Sequence, residues 1–320
     1  MKAVALFSGG LDSLLAIKII EDQGIDVAGL RFKSSFFDNT EKIKQIAESN
    51  NVQVKIIDIS EEYLKIVKKP KHGYGKNLNP CIDCKIFMLK KARDYAKKTN
   101  AKFVITGEVL GQRPMSQNLR SLKLIEAESG LKKELLRPLS AKLLDPTKAE
   151  LNNWVVRTKL FDVQGRTRKV QFRLAKKYKV TNYTSPAGGC LLTEKTYSHK
   201  LKDLLENSKA TLNDISLLKT GRHFRFGNSK IIVGRNEHEN SLLEKERSNL
   251  IFDAKDVMGP ITILQGRPTK KSIELAGQLT ARYSDAKEKT VVVLYGKKSL
   301  RNEIKVTKIN DQKIEKLRII

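Results

Sequence analysis

The sequence predicts an α/β chain: a doubly wound parallel sheet followed by a smaller C-terminal α+β domain. Three observations predict it. Short apolar runs alternate with helical stripes through the first half, a glycine turn joins the first run to the first stripe, and the texture changes near residue 195. At roughly 150 residues per domain, a chain of 320 residues suggests two domains.

Residues 3–7 read as a short buried strand. Leu14, Leu15, Ile17 and Ile20 form a helical stripe, and Gly24 suits its C-terminal end. Residues 27–32 form a second strand. Thr40 caps a helix carrying Ile43, Ile46 and Ala47. Residues 52–59 form a third strand, and Ser60 caps the next helix. Residues 84–98 read as helix and 103–106 as strand. This alternation implies parallel strands with helices on both faces. Asp145-Pro146 reads as a helix start. Further on, residues 198–205 and 212–218 read as helices, and 223–226 and 230–234 as a hairpin across Gly227-Asn228-Ser229. Residues 261–264, 291–295 and 303–309 are strands, and 271–283 a helix. The expected domains are 1–195 and 196–320.

Lys and Arg number 62 against 35 Asp and Glu, a formal charge of +27. That excess points to a polyanionic partner, foremost nucleic acid. No stretch approaches the ~18 consecutive apolar residues of a membrane span. The apolar start is too short for a secretion signal. Three cysteines cannot build a disulfide framework. The chain is expected in the cytoplasm, where cysteines tend to be metal ligands or catalysts.

The glycine turn is Ser8-Gly9-Gly10-Leu11-Asp12-Ser13. Its glycines let the backbone turn and present N–H groups to an anion, and the helix that follows adds its positive end. No Gly-Lys-Ser/Thr follows, so it is no Walker A loop, nor is it G-x-G-x-x-G. The run S-G-G-x-D-S resembles the PP-loop of the ATP pyrophosphatases, whose sheet is of the adenine nucleotide alpha-hydrolase-like kind. The resemblance implies ATP cleaved to AMP and pyrophosphate. It implies that Ser8, Gly9, Gly10 and Ser13 hold pyrophosphate, that Asp12 serves Mg²⁺ or orients the loop, and that Phe32 lies beside the adenine. A second block, Thr106-Gly107-Glu108 with Gly111-Gln112, Ser116-Gln117 and later Leu136-Arg137-Pro138-Leu139, resembles the PP-loop domain of tRNA 4-thiouridine synthases. Loops at the carboxyl ends of strands line the crevice of such sheets, which places Gly107 and Gln112 beside the nucleotide.

Pro80-Cys81-Ile82-Asp83-Cys84 is a C-x-x-C, and the third cysteine, Cys190, closes a Pro-Ala-Gly-Gly-Cys turn. Three uses compete: a three-cysteine [4Fe-4S] cluster with one open iron, persulfide chemistry without metal, or zinc with His72 as a fourth ligand. P-C-x-x-C with a distant third cysteine resembles thiouridylases of the iron–sulfur type, which implies the cluster, with Cys81, Cys84 and Cys190 as ligands and catalytic residues beside Asp12. Bacterial 4-thiouridine synthases carry an added RNA-binding domain ahead of the PP-loop. This chain starts at the PP-loop strand, so none is expected here.

From residue 157 to 179 nine Lys/Arg stand against one acid, Asp162, and Lys65, Lys68, Lys69, Lys71 and Lys76 crowd ahead of Cys81. Phosphate contacts of this kind set register and affinity. The strand Arg222-His223-Phe224-Arg225-Phe226 is expected to stack bases or else to be a core hairpin. With Val233-Gly234-Arg235-Asn236 it resembles the RNA-binding domain of NFACT-type proteins. The resulting expectation is an ATP-dependent tRNA sulfurtransferase making thiouridine, 4-thiouridine ahead of 2-thiouridine. Its sulfur donor would be sulfide or a cysteine desulfurase relay; no membrane is involved, and a homodimer is allowed. The competing expectations are a PP-loop small-molecule synthetase or amidotransferase, and a non-catalytic RNA-binding protein.

Overall fold

The computed structural model describes residues 1–184 and 190–320. Residues 185–189, which hold the Pro-Ala-Gly-Gly segment ahead of Cys190, lie outside the described residues. The chain divides into two units, Met1–Thr193 and Glu194–Ile320.

The first unit contains β1 (Lys2–Leu6), α1 (Leu11–Glu21), β2 (Asp26–Lys33), α2 (Thr40–Ser49), β3 (Val54–Asp58), α3 (Ser60–Lys68), α4 (Cys81–Lys98), β4 (Phe103–Thr106), α5 (Leu119–Glu128), β5 (Leu135–Leu136), α6 (Lys148–Leu151) and α7 (Lys169–Lys177). Its sheet runs β3-β2-β1-β4-β5, and every pairing is parallel. A central parallel strand is covered on both faces and so reads apolar at successive positions; Ala3, Val4 and Ala5 are at most 1% exposed. Alternation sends Ala3, Ala5, Val27, Phe103 and Ile105 to one face, where residues of α1, α2 and α7 complete the core. On the other face α4 packs against β1 and β4.

Strand order reverses at β1, so a crevice opens between the loops that leave β1 and β4. Helices that return the chain between parallel strands begin at the carboxyl edge of the sheet. The N-termini of α1 and α4 therefore share that edge, on opposite faces.

Several local expectations change. Thr40 and Ser60 are first helical residues, not caps; Asp38 and Asp58 accept their N–H and hydroxyl groups. Asp145-Pro146 stops short of a helix, which Thr147 opens with Glu150 accepting its N–H and hydroxyl. α4 begins at Cys81 rather than residue 84, because the Pro80 carbonyl already accepts the Cys84 N–H. Both cysteines thus stand on one face of its first turn.

The second unit contains α8 (Lys195–Asn207), α9 (Leu212–Leu217), β6 (Arg222–Phe226), β7 (Ser229–Val233), α10 (Glu237–Glu244), β8 (Leu250–Ala254), β9 (Thr262–Gln265), α11 (Lys270–Arg282), β10 (Thr290–Gly296), β11 (Asn302–Thr307) and α12 (Asp311–Leu317). Six antiparallel strands run β11-β10-β8-β9-β7-β6. Leu275, Ala276 and Leu279 of α11 share a core with Phe224, Ile231, Phe252 and Val293. The β6–β7 hairpin forms as the turn residues require. Its expected role in base stacking is corrected, however. Phe224 is fully buried, His223 is 1% exposed, and Phe226 packs on the same core, so the aromatic rings are not offered to a ligand.

Candidate active site

The loop after β1 is shaped by its glycines. Gly9 sits at φ +75°, and a Cβ there would lie 2.4 Å from Ile43 Cδ1. Gly10 stands just ahead of α1, which starts without a side-chain cap and so leaves its positive end open to an outside acceptor. Ser13 Oγ donates to the Gly10 carbonyl at 2.8 Å and accepts the Ser8 N–H at 3.3 Å. The loop is thus tied to the first turn of α1 before any ligand arrives.

The loop after β4 comes down on this turn. A Cβ on Gly107 would lie 2.4 Å from the Asp12 carbonyl carbon and oxygen, a contact with backbone that only glycine permits. Gln112 Nε2 donates to Asp12 Oδ2 at 2.9 Å. The Arg168 guanidinium stands 3.9 Å from the same oxygen. Among the described residues, Asp12 Oδ1 and Gln112 Oε1 are buried without hydrogen-bond partners. Two orphaned oxygens beside a phosphate loop are the hard donors a Mg²⁺ ion takes, so these residues fit that metal. Thr184 closes the loop from the far side, its N–H donating to the Gly9 carbonyl at 2.8 Å. Sequence reasoning missed Arg168 and Thr184, which reach the loop only through the fold. Phe32, near the end of β2, is buried at 3% exposure.

The T-G-E and L-R-P-L segments have a structural side. Glu108 and Arg137 are 2% and 3% exposed and pair at 3.2 Å, while Lys85 of α4 approaches Glu108 at 3.5 Å. Burial pushes the Glu108 carboxyl up, but Lys85 and Arg137 outweigh it and hold the group below its usual value. Breaking such a pair costs about 3–5 kcal/mol.

Cys81, Cys84 and Cys190 carry thiols, not a disulfide. The segment after Cys190 is pinned beside the C-x-x-C: the Leu78 N–H donates to Leu192 O at 3.2 Å, and Asn77 Nδ2 to Thr193 O at 2.7 Å. Burial pushes the Cys84 thiol up to about 12, with the nearby Tyr63 hydroxyl pulling the other way. Burial also raises Cys81, against the pull of Arg113 and Lys85. The charges of all three thiols bear on the buried Tyr63 hydroxyl and raise it. Among the described residues no three His, Cys, Asp or Glu side chains converge closely enough for a single metal ion. An all-sulfur donor set grouped around one hydroxyl does fit the chemistry of an iron–sulfur cluster, which is wider than one ion. His72 is not available as a zinc ligand: its ring nitrogens lie 3.0 Å from Asp83 and 3.1 Å from Glu128.

Thr184 lies on the phosphate loop, and Cys190 is six residues on. Six residues extend at most roughly 22 Å. Basic surface adjoins. α7 buries Gln171, Leu174 and Ala175 and exposes Lys169, Phe172, Arg173, Lys176 and Lys177. No helix among the described residues is long and apolar enough to cross a membrane.

The model of the NFACT protein RNA binding domain matches residues 221–318. A tRNA-specific 2-thiouridylase MnmA of Campylobacter curvus is 29% identical over 116 residues, 33% of this chain and 34% of that protein. A probable tRNA sulfurtransferase of Methanocaldococcus jannaschii is 31% identical over 142 residues, 43% of this chain and 36% of that protein. The chain thus spans about a third of the length of the curated relatives it matches. A solved 4-thiouridine synthetase–RNA complex with bound ATP shares 21% identity over 56% of this chain and 51% of that one, at a TM-score of 0.36, too slight to bear on the fold. The model of the thiamine biosynthesis protein (ThiI) runs over residues 1–180, more than half of the chain and through both the glycine loop and the C-x-x-C. By that match the chain belongs to the ThiI family.

Proposed function

We propose that this chain is an ATP-dependent tRNA sulfurtransferase that makes thiouridine, with 4-thiouridine ahead of 2-thiouridine. One observation carries the reading. Gln112 bonds to Asp12 in the phosphate loop, and Arg113, its neighbour in the chain, acts on the Cys81 thiol. An adenylating loop and a sulfur-bearing cluster therefore adjoin. The sulfurtransferase and thiouridylase names of the relatives agree with it.

The phosphates of ATP lie on the N–H groups of residues 8–13, with Ser8, Gly9, Gly10 and Ser13 around the pyrophosphate and Phe32 near the adenine. Asp12 and Gln112 would hold Mg²⁺, which would supply positive charge against the phosphates. The uridine carbonyl oxygen attacks the α-phosphorus, and pyrophosphate leaves toward the start of α1. A carbonyl oxygen is a poor leaving group; as part of a phosphate ester it is a good one. A sulfide-level sulfur held at Cys81, Cys84 and Cys190 then adds to the activated carbon, and AMP departs with the former uridine oxygen. These three residues would hold a [4Fe-4S] cluster, which would supply an open iron for that sulfur. The exposed cations of α7 and the NFACT-like unit take the tRNA backbone. The target base must leave its stack to reach the crevice.

The test is an anaerobic assay with tRNA, ATP, Mg²⁺ and sulfide, followed by nucleoside mass spectrometry. Thiouridine from the wild type and none from Asp12→Ala supports the reading. Pyrophosphate release that needs a small-molecule acceptor and ignores tRNA would replace it with the synthetase reading.

A further inference from the structure

The lysine-rich segment between α3 and α4 has no role in this scheme, although it is tied to the cysteine turn. Asn79 O accepts both the Gly75 N–H at 2.8 Å and the Cys81 N–H at 3.0 Å. The His72 N–H donates to Asp83 Oδ2 at 2.9 Å. The Tyr74 hydroxyl donates to the Val67 carbonyl at 2.6 Å, so the ring is held by its tip. Tyr74 is nevertheless 39% exposed. Among the described residues no ring stacks on it and no cation stands over it. Beside this turn stands Met115, 47% exposed, whose Cε would lie 3.1 Å from a Cβ on Gly75. Met115 belongs to the loop that sends Gln112 to Asp12, and Ser121 Oγ donates to its carbonyl at 2.8 Å. An exposed aromatic and an exposed thioether thus stand on adjoining loops, one tied to Cys81 and the other to Asp12.

Charge decides what such a surface receives. Lys69 and Lys76 stand on either side of the tyrosine in the chain, both exposed and, among the described residues, outside every ion pair. The nearby acids are engaged: Asp83 by His72, and Glu128 by His72 and by Lys71 at 2.7 Å. Glu61 and Glu62 lie at the opposite end of α3. An uncovered ring among cations is how proteins hold single-stranded nucleic acid: a base stacks on the ring and the phosphates take the amines. Resting on the reading of tRNA as the substrate, we propose that Tyr74 stacks on an unpaired base of the RNA beside the target uridine. Met115 packs along that base, and Lys69 and Lys76 meet its phosphates. A target that leaves its stack strips a neighbouring base of one face, and the tyrosine ring covers that face. Its bonded hydroxyl orients the ring in advance, so little side-chain freedom is lost on binding.

The probe is a short uridine-rich single strand carrying one 5-iodouridine, whose photochemistry joins it to an aromatic ring stacked on it. Irradiation of the full chain with this strand, then peptide mass spectrometry, should place the adduct on Tyr74. Tyr74→Leu keeps apolar bulk without a ring; it should lose the adduct and bind the strand about tenfold more weakly. Tyr74→Phe keeps the ring and should retain most of both. Lys69→Gln and Lys76→Gln should each lower the log–log salt slope of binding by ~0.7. An adduct elsewhere, with Tyr74→Leu binding as the wild type does, overturns the proposal. Equal losses in Tyr74→Phe and Tyr74→Leu would trace the effect to the Val67 bond, hence to loop structure, and also overturn it. So would a shift in the sedimentation of free Tyr74→Leu protein with RNA binding unaltered, which would give the face to a second copy of the chain. If the wild type thiolates no tRNA, the sulfurtransferase reading fails, and the adduct and the binding ratio still decide Tyr74.

Discussion

Gln112 and Arg113 are adjacent in the chain and face different chemistry: Gln112 Nε2 donates to Asp12 at 2.9 Å, and the Arg113 guanidinium draws the Cys81 thiol downward. Their substitutions should therefore separate. Gln112→Ala is expected to raise the Mg²⁺ concentration needed for pyrophosphate release several-fold. Arg113→Ala should spare that requirement and slow the sulfur step. Titrating Mg²⁺ against pyrophosphate release in both variants checks this; identical shifts would mean that one loop movement explains both.

Gly107 tests how closely the β4 loop must approach α1. A methyl group there would meet Asp12 backbone, which has no flexible end to yield. Gly107→Ala should cost about 1–3 kcal/mol of stability. It should also weaken ATP binding, read by thermal unfolding with and without ATP. Gly73, whose Cβ position is open although its φ is +71°, gives a control for strain without a clash.

Arg137 and Glu108 form a buried pair, so Arg137→Met leaves a carboxylate unmatched except by Lys85. The expected loss is about 3 kcal/mol at neutral pH. Glu108 is held below its usual value, so the stability it contributes is present above the unfolded value near ~4.3 and is lost as pH falls through the folded value. Arg137→Met should therefore show a shallower loss of stability on acidification than the wild type. Chemical denaturation between neutral and acid pH measures it.

His223 gives the second unit its own pH dependence. Its Nε2 bonds to the Thr220 carbonyl at 2.7 Å, and the ring is buried at 1% exposure. Burial, with Lys230 and Lys200 nearby, pushes its pKa well below the ordinary value. The neutral ring's contribution is full above the unfolded value near ~6.5 and declines as pH falls below it. Protection factors in β6 and β7, with exchange corrected for its intrinsic pH dependence, should thus fall below that pH in the wild type. In His223→Gln the protection factors should vary less with pH.

The α7 face gives a salt-dependence prediction. Lys169, Arg173, Lys176 and Lys177 are exposed on one side of the helix. Each phosphate contact removed should lower the log–log salt slope of tRNA binding by ~0.7–0.9. Replacing all four by Gln should reduce the slope by about 3. An unchanged slope would move the RNA path off this helix.

The sequence made the parallel sheet legible because buried strands and amphipathic stripes leave local traces, and Ser8–Ser13 carried its loop in its own residues. It did not show the start of α4, since the cap there is the carbonyl of Pro80, not a polar side chain. Arg168 and Thr184 escaped notice because their contacts with the loop span more than 150 residues. The β6 strand misled for a physical reason: Arg, His and Phe alternate equally in a base-stacking surface and in a buried hairpin. Only the packing of α11 on Phe224 distinguishes them.

The central claim is that one edge of the sheet activates a uridine oxygen and then replaces it with sulfur. The most direct test supplies tRNA carrying ¹⁸O in the uridine carbonyl, with ATP, Mg²⁺ and sulfide under anaerobic conditions, and follows the label by mass spectrometry. The account predicts ¹⁸O in the AMP released, in step with thiouridine formed, and neither product from Cys190→Ala beyond the adenylated stage. Unlabelled AMP alongside thiouridine would contradict it, because the oxygen would then have left without passing through the adenylate.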